Sequence, residues 1–254
     1  MKLNESIVEN ATLEWFSDLG YALATGPDIA PGEPASERSS FADVILVRRL
    51  KDAIRRLNPQ IPPEAQDEAL RKVVRLDTAS FIGNNRAFHK MLRDGVEVEY
   101  SRLDGSIAGD RVRLVDFGRP AANDWFAVNQ FTVIESQHNR RPDVVVFVNG
   151  LPLAIIELKN AADAEATIWS AYSQLQTYKS EIPSLLQYCE LLIVSDGVQA
   201  RIGSLTANQE WFKVWRTVDG ERDAPRSALE LEVLIRGVFE KRRFLDMLQH
   251  FIVF

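Results

Sequence analysis

Arg140-Arg141-Pro142-Asp143-Val144-Val145-Val146-Phe147-Val148-Asn149-Gly150-Leu151-Pro152-Leu153-Ala154-Ile155-Ile156-Glu157-Leu158-Lys159 is the stretch whose reading decides the fold. Two apolar runs, Val144–Val148 and Leu153–Leu158, lie on either side of Asn149-Gly150, a strong short-range hairpin signal. Runs without polar alternation read as strands buried on both faces, so both belong at the centre of a sheet. Into this setting the sequence puts ionisable groups: Asp143 opens the first strand, and Glu157 and Lys159 close the second. A carboxylate in such a strand is costly to bury unless a cation or a metal answers its charge. Glu157 and Lys159 are two apart and project from one face.

Whether Asp143 joins them depends on the turn. A connection of Asn149 and Gly150 alone pairs Val148 with Leu151, sets Asp143 opposite Ile156 and leaves Glu157 on the other face. A three-residue connection through Leu151 pairs Val148 with Pro152 and brings Asp143 across from Glu157. The expectation is the second register, or a bulge that compensates for the first; Pro152 suits a hairpin edge that needs no ladder donor. Oxygen ligands from Asp143 and Glu157, with the backbone carbonyl of Leu158 between Glu157 and Lys159, suit an octahedral Mg²⁺ that keeps several waters. Such an ion polarises a phosphoryl oxygen while Lys159 orients or activates water, which is the chemistry of phosphodiester hydrolysis. Glu-x-Lys alone is commonly a solvated ion pair. The added Pro-Asp at the head of the neighbouring strand is what gives the pattern chemical meaning.

Outward from this hairpin the elements mix, giving an α/β (α+β mixed) chain with a central mixed sheet flanked by helices. Residues 3 to 18 have helical spacing and end before Gly20, and a strand is expected at Tyr21–Thr25. Residues 26 to 40 concentrate proline and glycine and read as a long loop. Amphipathic helices are expected near 41–57 and 63–76, and His89 falls on a helix as a packed residue. Strands are expected at 96–100, 111–117, 126–134, 191–195 and 198–202, a helix at 164–180, and one long helix over 227–250. The division is a single domain over 1–254, with a helical insertion at about 41–95, a catalytic core at about 96–216 and the closing helix at about 227–250.

Composition bounds the function. The chain has 254 residues, a net charge of −6 and a single cysteine, Cys189. Bulk electrostatic grip on nucleic acid is disfavoured by that charge, and one cysteine without a bridge fits a reducing, cytoplasmic setting. No apolar run approaches the roughly 20 residues that span a bilayer, so no membrane partner is expected. The apolar ending Phe251-Ile252-Val253-Phe254 suggests a piece of a longer chain.

Pro142-Asp143 and Glu157-Leu158-Lys159 resemble the motif of the PD-(D/E)xK nuclease superfamily. With Asn129-Gln130-Phe131, Asn149-Gly150-Leu151-Pro152, Glu157-Leu158-Lys159-Asn160, Ser195-Asp196-Gly197 and Arg86-Ala87-Phe88-His89, most of the chain resembles the N-terminal endonuclease domain of the restriction subunit of type I restriction-modification enzymes. The resemblance implies a restriction-endonuclease-like core that cleaves double-stranded DNA with Mg²⁺, in which Asp143, Glu157 and Lys159 are catalytic and Asp143, Glu157 and the Leu158 carbonyl hold metal. An acid on the first helix also joins the metal in that superfamily, with Glu9 the candidate and Glu14 its competitor. Gln174 and Tyr178, in the family's Gln-x-x-x-Tyr pattern, share a helix face and are implied to position DNA; for Tyr178 a plain core role is the alternative. Arg140 and Arg141 are further phosphate candidates. The implied partners are the modification (methyltransferase) and specificity subunits and a C-terminal helicase-like motor. ATP belongs to that motor, since no glycine here is followed by lysine and so no Walker A loop exists. The competing readings are a free-standing repair or junction nuclease of the same superfamily and a catalytically silent docking module.

Overall fold

Six strands build one mixed sheet in the computed structural model, which describes residues 5–78, 80–102, 104–159 and 167–252. In chain order the elements are α1 (Glu5–Asp18), β1 (Ala22–Thr25), α2 (Val47–Leu57), α3 (Pro63–Val74), α4 (Phe81–Asp94), β2 (Val96–Ser101) and β3 (Ile107–Val112). There follow β4 (Trp125–Asn129), β5 (Val133–Glu135), β6 (His138–Arg140), β7 (Val144–Val148), β8 (Leu151–Leu158), α5 (Ile168–Glu181) and α6 (Pro183–Leu186). The last are β9 (Leu191–Ser195), β10 (Ala200–Ser204), α7 (Glu230–Val238) and α8 (Lys241–His250). The main sheet has the order β1-β4-β7-β8-β9-β10, with β1–β4 and β8–β9 parallel and the remaining pairs antiparallel.

β7 and β8 sit at its middle and are buried along their whole length. Strand side chains alternate between faces, so the cross-strand pair Phe126 and Phe147 marks one face and Trp125 with Val148 the other. Arg49 of α2 stacks 3.9 Å from the Phe126 ring on the first face. Phe244 of α8 lies 6.3 Å from Trp125 on the second. The sheet is thus covered on both sides, the layering expected from unbroken apolar strands. Among the described residues no helix is long and apolar enough to cross a membrane.

The turn between β7 and β8 resolves the register. Asn149 and Gly150 take φ of 53° and 79°, the pair of positive values that a two-residue hairpin turn requires. Val148 pairs with Leu151 and Phe147 with Pro152, so the three-residue connection is not formed. The ladder then slips between Phe147 and Val146, which pairs with Ala154, leaving Leu153 as the extra residue of a bulge. Proline inside a central strand is tolerated beside such a break. Beyond it Val144 pairs with Ile156, and the same register brings Asp143 opposite Glu157. The freed Leu153 carbonyl accepts the Glu190 N–H at 2.8 Å. The fully buried Asn149 side chain ties the turn down: its amide donates to the Leu114 carbonyl and Asn123 Oδ1, both 2.9 Å, and its Oδ1 accepts Asp124 N–H at 2.8 Å.

Elsewhere the sequence reading needs local correction. Helix α2 starts at Val47, not near 41, because the Leu46 N–H is taken by the Gly150 carbonyl at 2.9 Å. The strand expected at 111–117 lies at Ile107–Val112, paired with β2. The run 126–134 breaks at Gln130, whose φ of 54° ends β4 and lets β5 depart. The single helix expected at 227–250 is two, α7 and α8. Phe239 is fully buried between them, and the Glu240 carboxylate restarts the helix by accepting the N–H groups of Arg242 and Arg243. Leu3, Asn160, residues 164–166 of the helix expected at 164–180, and Val253-Phe254 lie outside the described residues.

A Cβ on Gly150 would sit 2.5 Å from the Leu46 carbonyl oxygen while the residue holds positive φ. Gly150→Ala is therefore expected to destabilise the chain by at least about 2 kcal/mol, read as a lower urea midpoint; an unchanged midpoint would show that the turn does not fix the hairpin.

Candidate active site

The bulge brings the two acids together where β7 begins and β8 ends. Asp143 is 5% exposed and Glu157 1% exposed. Asp143 Oδ2 accepts the Leu158 N–H at 2.6 Å, and the Asp143 carbonyl accepts the Gln130 N–H at 2.9 Å, so this acid is held from both neighbouring strands. Lys159 donates to Glu157 Oε1 at 3.1 Å and to Gln174 Oε1 at 2.5 Å. Gln174 Nε2 in turn donates to the Tyr178 hydroxyl at 2.6 Å. Helix α5 therefore carries Gln174 and Tyr178, one turn apart and on one face as their spacing implied, onto the carboxylate–lysine pair. Tyr178 is also buried, so its core role and its contact with the site coexist.

Burial, followed by the charge of Asp143, pushes the Glu157 pKa from 4.5 up to about 8. Among the described residues Glu157 Oε2 is buried and accepts no hydrogen bond of good geometry, although the Tyr178 hydroxyl lies near enough to the carboxylate to lower its pKa in part. A charged oxygen in that state is among the costliest things a fold can hold, and it fits a group that a cation is meant to meet. Burial and then the Glu157 charge raise the pKa of the Tyr178 hydroxyl, which keeps it a neutral donor.

Glu9 approaches from elsewhere. Asn129 pairs with Val144 and so points to the face opposite Asp143. Glu9 Oε1 accepts from Asn129 Nδ2 at 2.5 Å, and its Oε2 accepts from Gln130 Nε2. Its competitor Glu14 is exposed. Among the described residues no three Asp, Glu, His or Cys side chains come close enough to hold a metal together, and the contacts of Glu9 are to Asn129 and Gln130, the latter hydrogen-bonded through its backbone N–H to the Asp143 carbonyl.

Arg140 and Arg141 diverge. The Arg140 guanidinium is ion-paired with Glu181 at the end of α5, whereas Arg141 is exposed. Both line a cleft of about 260 Å³ with Gln130, Asn139, Asp143, Gln174 and Tyr178. Sequence alone assigns no site role to Asn139, and to Gln130 only a place in the Asn129-Gln130-Phe131 resemblance. The signal for Gln130 was an amide pair, Asn129-Gln130, interrupting an apolar run; for Asn139 there was none. His89 hydrogen-bonds Glu190 at 3.0 Å, just ahead of β9 and at the far end of the sheet from Ser195 and Lys159.

A mixed sheet with paired acids at the ends of its central strands and a lysine two residues on is a restriction-endonuclease-like arrangement. The family model of the type I restriction enzyme R protein N terminus matches residues 2–211. The chain is 38% identical over 255 residues to the type I restriction enzyme HindI endonuclease subunit of Haemophilus influenzae, covering 99% of this chain and 24% of that protein. It is 32% identical over 272 residues to the putative type I restriction enzyme MjaIXP endonuclease subunit of Methanocaldococcus jannaschii, covering 99% and 26%. A third relative, the type I restriction enzyme EcoprrI endonuclease subunit of Escherichia coli, is 30% identical over 155 residues, 59% of this chain and 48% of that one. The chain belongs to the family of type I restriction enzyme R protein N termini. It spans about a quarter of the length of the first two relatives.

Glu157 binds its proton more tightly in the folded chain, at about 8, than at its ordinary 4.5. Its contribution therefore favours the fold fully below pH 4.5 and is lost as pH rises through about 8. Glu157→Gln is expected to raise the stability of the metal-free chain at pH 8 by about 4 kcal/mol, with a gain of less than about 1 kcal/mol at pH 5. Urea titrations in EDTA at the two pH values read this; an equal change at both would contradict the burial argument.

Proposed function

We propose that this chain is the DNA-cleaving domain of a type I restriction enzyme, a Mg²⁺-dependent endonuclease that hydrolyses phosphodiester bonds of double-stranded DNA. The observation that carries the reading is the pair of buried acids, Glu157 beside Asp143, whose Glu157 Oε2 has no well-formed hydrogen bond among the described residues, with Lys159 held against the same carboxylate. Asp143, Glu157 and the Leu158 carbonyl would hold the ion. That carbonyl leaves the strand on the side of its own N–H, which already reaches Asp143. These hard oxygen donors, two carboxylates and a carbonyl, are of the kind that would suit Mg²⁺. When bound, such an ion would stabilise the negative charge that builds on the phosphoryl group and make water easier to deprotonate.

The chain's own residues do the rest. Asp143, fixed by two backbone N–H groups of its surroundings, keeps the acid pair in register. Lys159, steered by Gln174, places its ammonium beside the carboxylates, where it orients the attacking water and offsets charge on the phosphate. Tyr178 locks Gln174 and thereby Lys159, so these two residues position the lysine as well as the DNA. Arg141 is a phosphate contact, whereas Arg140, already paired with Glu181, braces the strand leading to Asp143. The modification and specificity subunits, and an ATP-driven helicase-like motor in the same polypeptide, are the proposed partners in the cytoplasm.

In the complete restriction complex, Asp143→Ala and Lys159→Ala are each expected to lower plasmid nicking by at least about 100-fold, with DNA-dependent ATP hydrolysis retained. Gln174→Ala is expected to lower it by about 10-fold. EDTA should stop cleavage and added Mg²⁺ restore it. Nicking at the wild-type rate by both alanine variants at Asp143 and Lys159 would remove the reading.

A further inference from the structure

The hairpin of β5 and β6 has no part in the chemistry above, yet it leads directly into Asp143. It has only three cross-strand pairs, and a two-stranded ribbon of that size is marginal by itself. Its inner face is clamped. Val133 is fully buried, and Glu135 Oε2 accepts the Ser184 N–H at 3.0 Å and its hydroxyl at 2.6 Å. Arg140 pairs with Glu181, and His138 Nδ1 lies 3.4 Å from the same carboxylate. Val133 opposes Arg140 and Glu135 opposes His138, so these four residues share that face.

The outer face is different. Ile134 opposes Asn139 there, and Ile134, Ser136, Gln137 and Asn139 are all exposed. No acidic side chain stands among them. Asn139, Arg141 and Asp143 are alternate residues, and the position before Pro142 is held extended, so the three form a row about 13 Å long on one side. All three line the same cleft. Neither Asn139 nor Arg141 has a hydrogen-bond or ion-pair partner among the described residues. A clamped ribbon with polar groups free to bind, aligned on the cleavage centre in a chain of net charge −6, is placed to meet an external partner.

We propose that the β5–β6 hairpin is an arm that engages double-stranded DNA beside the cleavage centre. Arg141 takes a phosphate of the strand entering the cleft, and Gln137 and Asn139 reach into the adjoining groove. A two-stranded ribbon fits the major groove, about 12 Å wide, and is too broad for the minor groove at about 6 Å. The row from Asn139 to Asp143 covers about four base-pair steps at roughly 3.4 Å each. Duplex geometry is what the arm recognises, since a single strand presents no groove. This deepens the nuclease reading and rests on it.

The test is DNA binding by the 254-residue chain in EDTA, measured by fluorescence anisotropy with a short duplex and with its isolated strand over a salt series. The wild type is expected to prefer the duplex. Gln137→Ala combined with Asn139→Ala should weaken duplex binding about 10-fold, leaving single-strand affinity and the salt slope unchanged. Arg141→Ala should lower the slope of log affinity against log salt by about 1. All three positions are exposed, so thermal melting is expected to match the wild type. A wild type without duplex preference, or a double variant that weakens duplex and single strand equally, would overturn the arm. Nicking that survives Asp143→Ala while these binding changes occur would instead remove the cleavage reading and leave the arm standing.

Discussion

One extra residue in one strand holds the candidate site together. The Asn149-Gly150 turn, left alone, would place Asp143 and Glu157 on opposite faces, because side chains alternate with a period of two. The bulge at Leu153 reverses the alternation for everything between it and the strand ends. Its carbonyl is answered by the Glu190 N–H, so the irregularity leaves that acceptor satisfied. The turn is equally constrained from below: Gly150 presses on Leu46, and Asn149 bonds Leu114, Asn123 and Asp124. A rigid tip at one end and a bulge in the middle are what bring the two acids to the same side at the other end.

Helix α5 is the second constraint. It carries Gln174 to Lys159, Tyr178 to Gln174 and Glu181 to Arg140. A single helix therefore touches the lysine of the site and the strand preceding Asp143, so a shift of α5 moves both. The buried Glu157 opposes this order. Its desolvation works against the fold above the pH at which it loses its proton, and the surrounding apolar strands are what tolerate it. Local instability at a site, offset by packing elsewhere, is the pattern expected where chemistry and stability compete.

Much of this was legible in the residues. Unbroken apolar strands, an Asn-Gly turn and ionisable groups at the strand ends suffice to place Asp143, Glu157 and Lys159 near one another, whereas helical spacing puts Gln174 and Tyr178 on one face and only the family resemblance pointed that face at the site. Parity required either a three-residue connection or a bulge; that the chain takes the bulge, and takes it at Leu153 where the Glu190 N–H meets the freed carbonyl, was not readable locally. Glu9 was readable as an acid on the first helix, but its capture by Asn129 and Gln130 depends on the left-handed Gln130, which no local pattern announces. The break at Phe239-Glu240 was hidden for a similar reason. The helical period continues through it, and only the burial of Phe239 between the two helices makes the interruption favourable.

The charge distribution bears on how such a site would be used. Most arginines near the sheet are answered internally: Arg49 by Glu37 and Asp124, Arg113 and Arg119 by Asp116, Arg236 by Asp18 and Glu232. Neutralised in this way, they add little to a long-range field for DNA. Near the acid pair, Arg141 is an exposed cation without such a partner among the described residues, and one phosphate contact carries a salt slope of only about 0.9. In the proposed reading the chain therefore holds DNA weakly by itself, and cleavage waits until other parts of the assembly raise the local concentration of duplex at the cleft. A centre with strong affinity of its own would cut wherever it landed. Weak intrinsic binding next to a competent acid pair makes the timing of cleavage a property of the assembly.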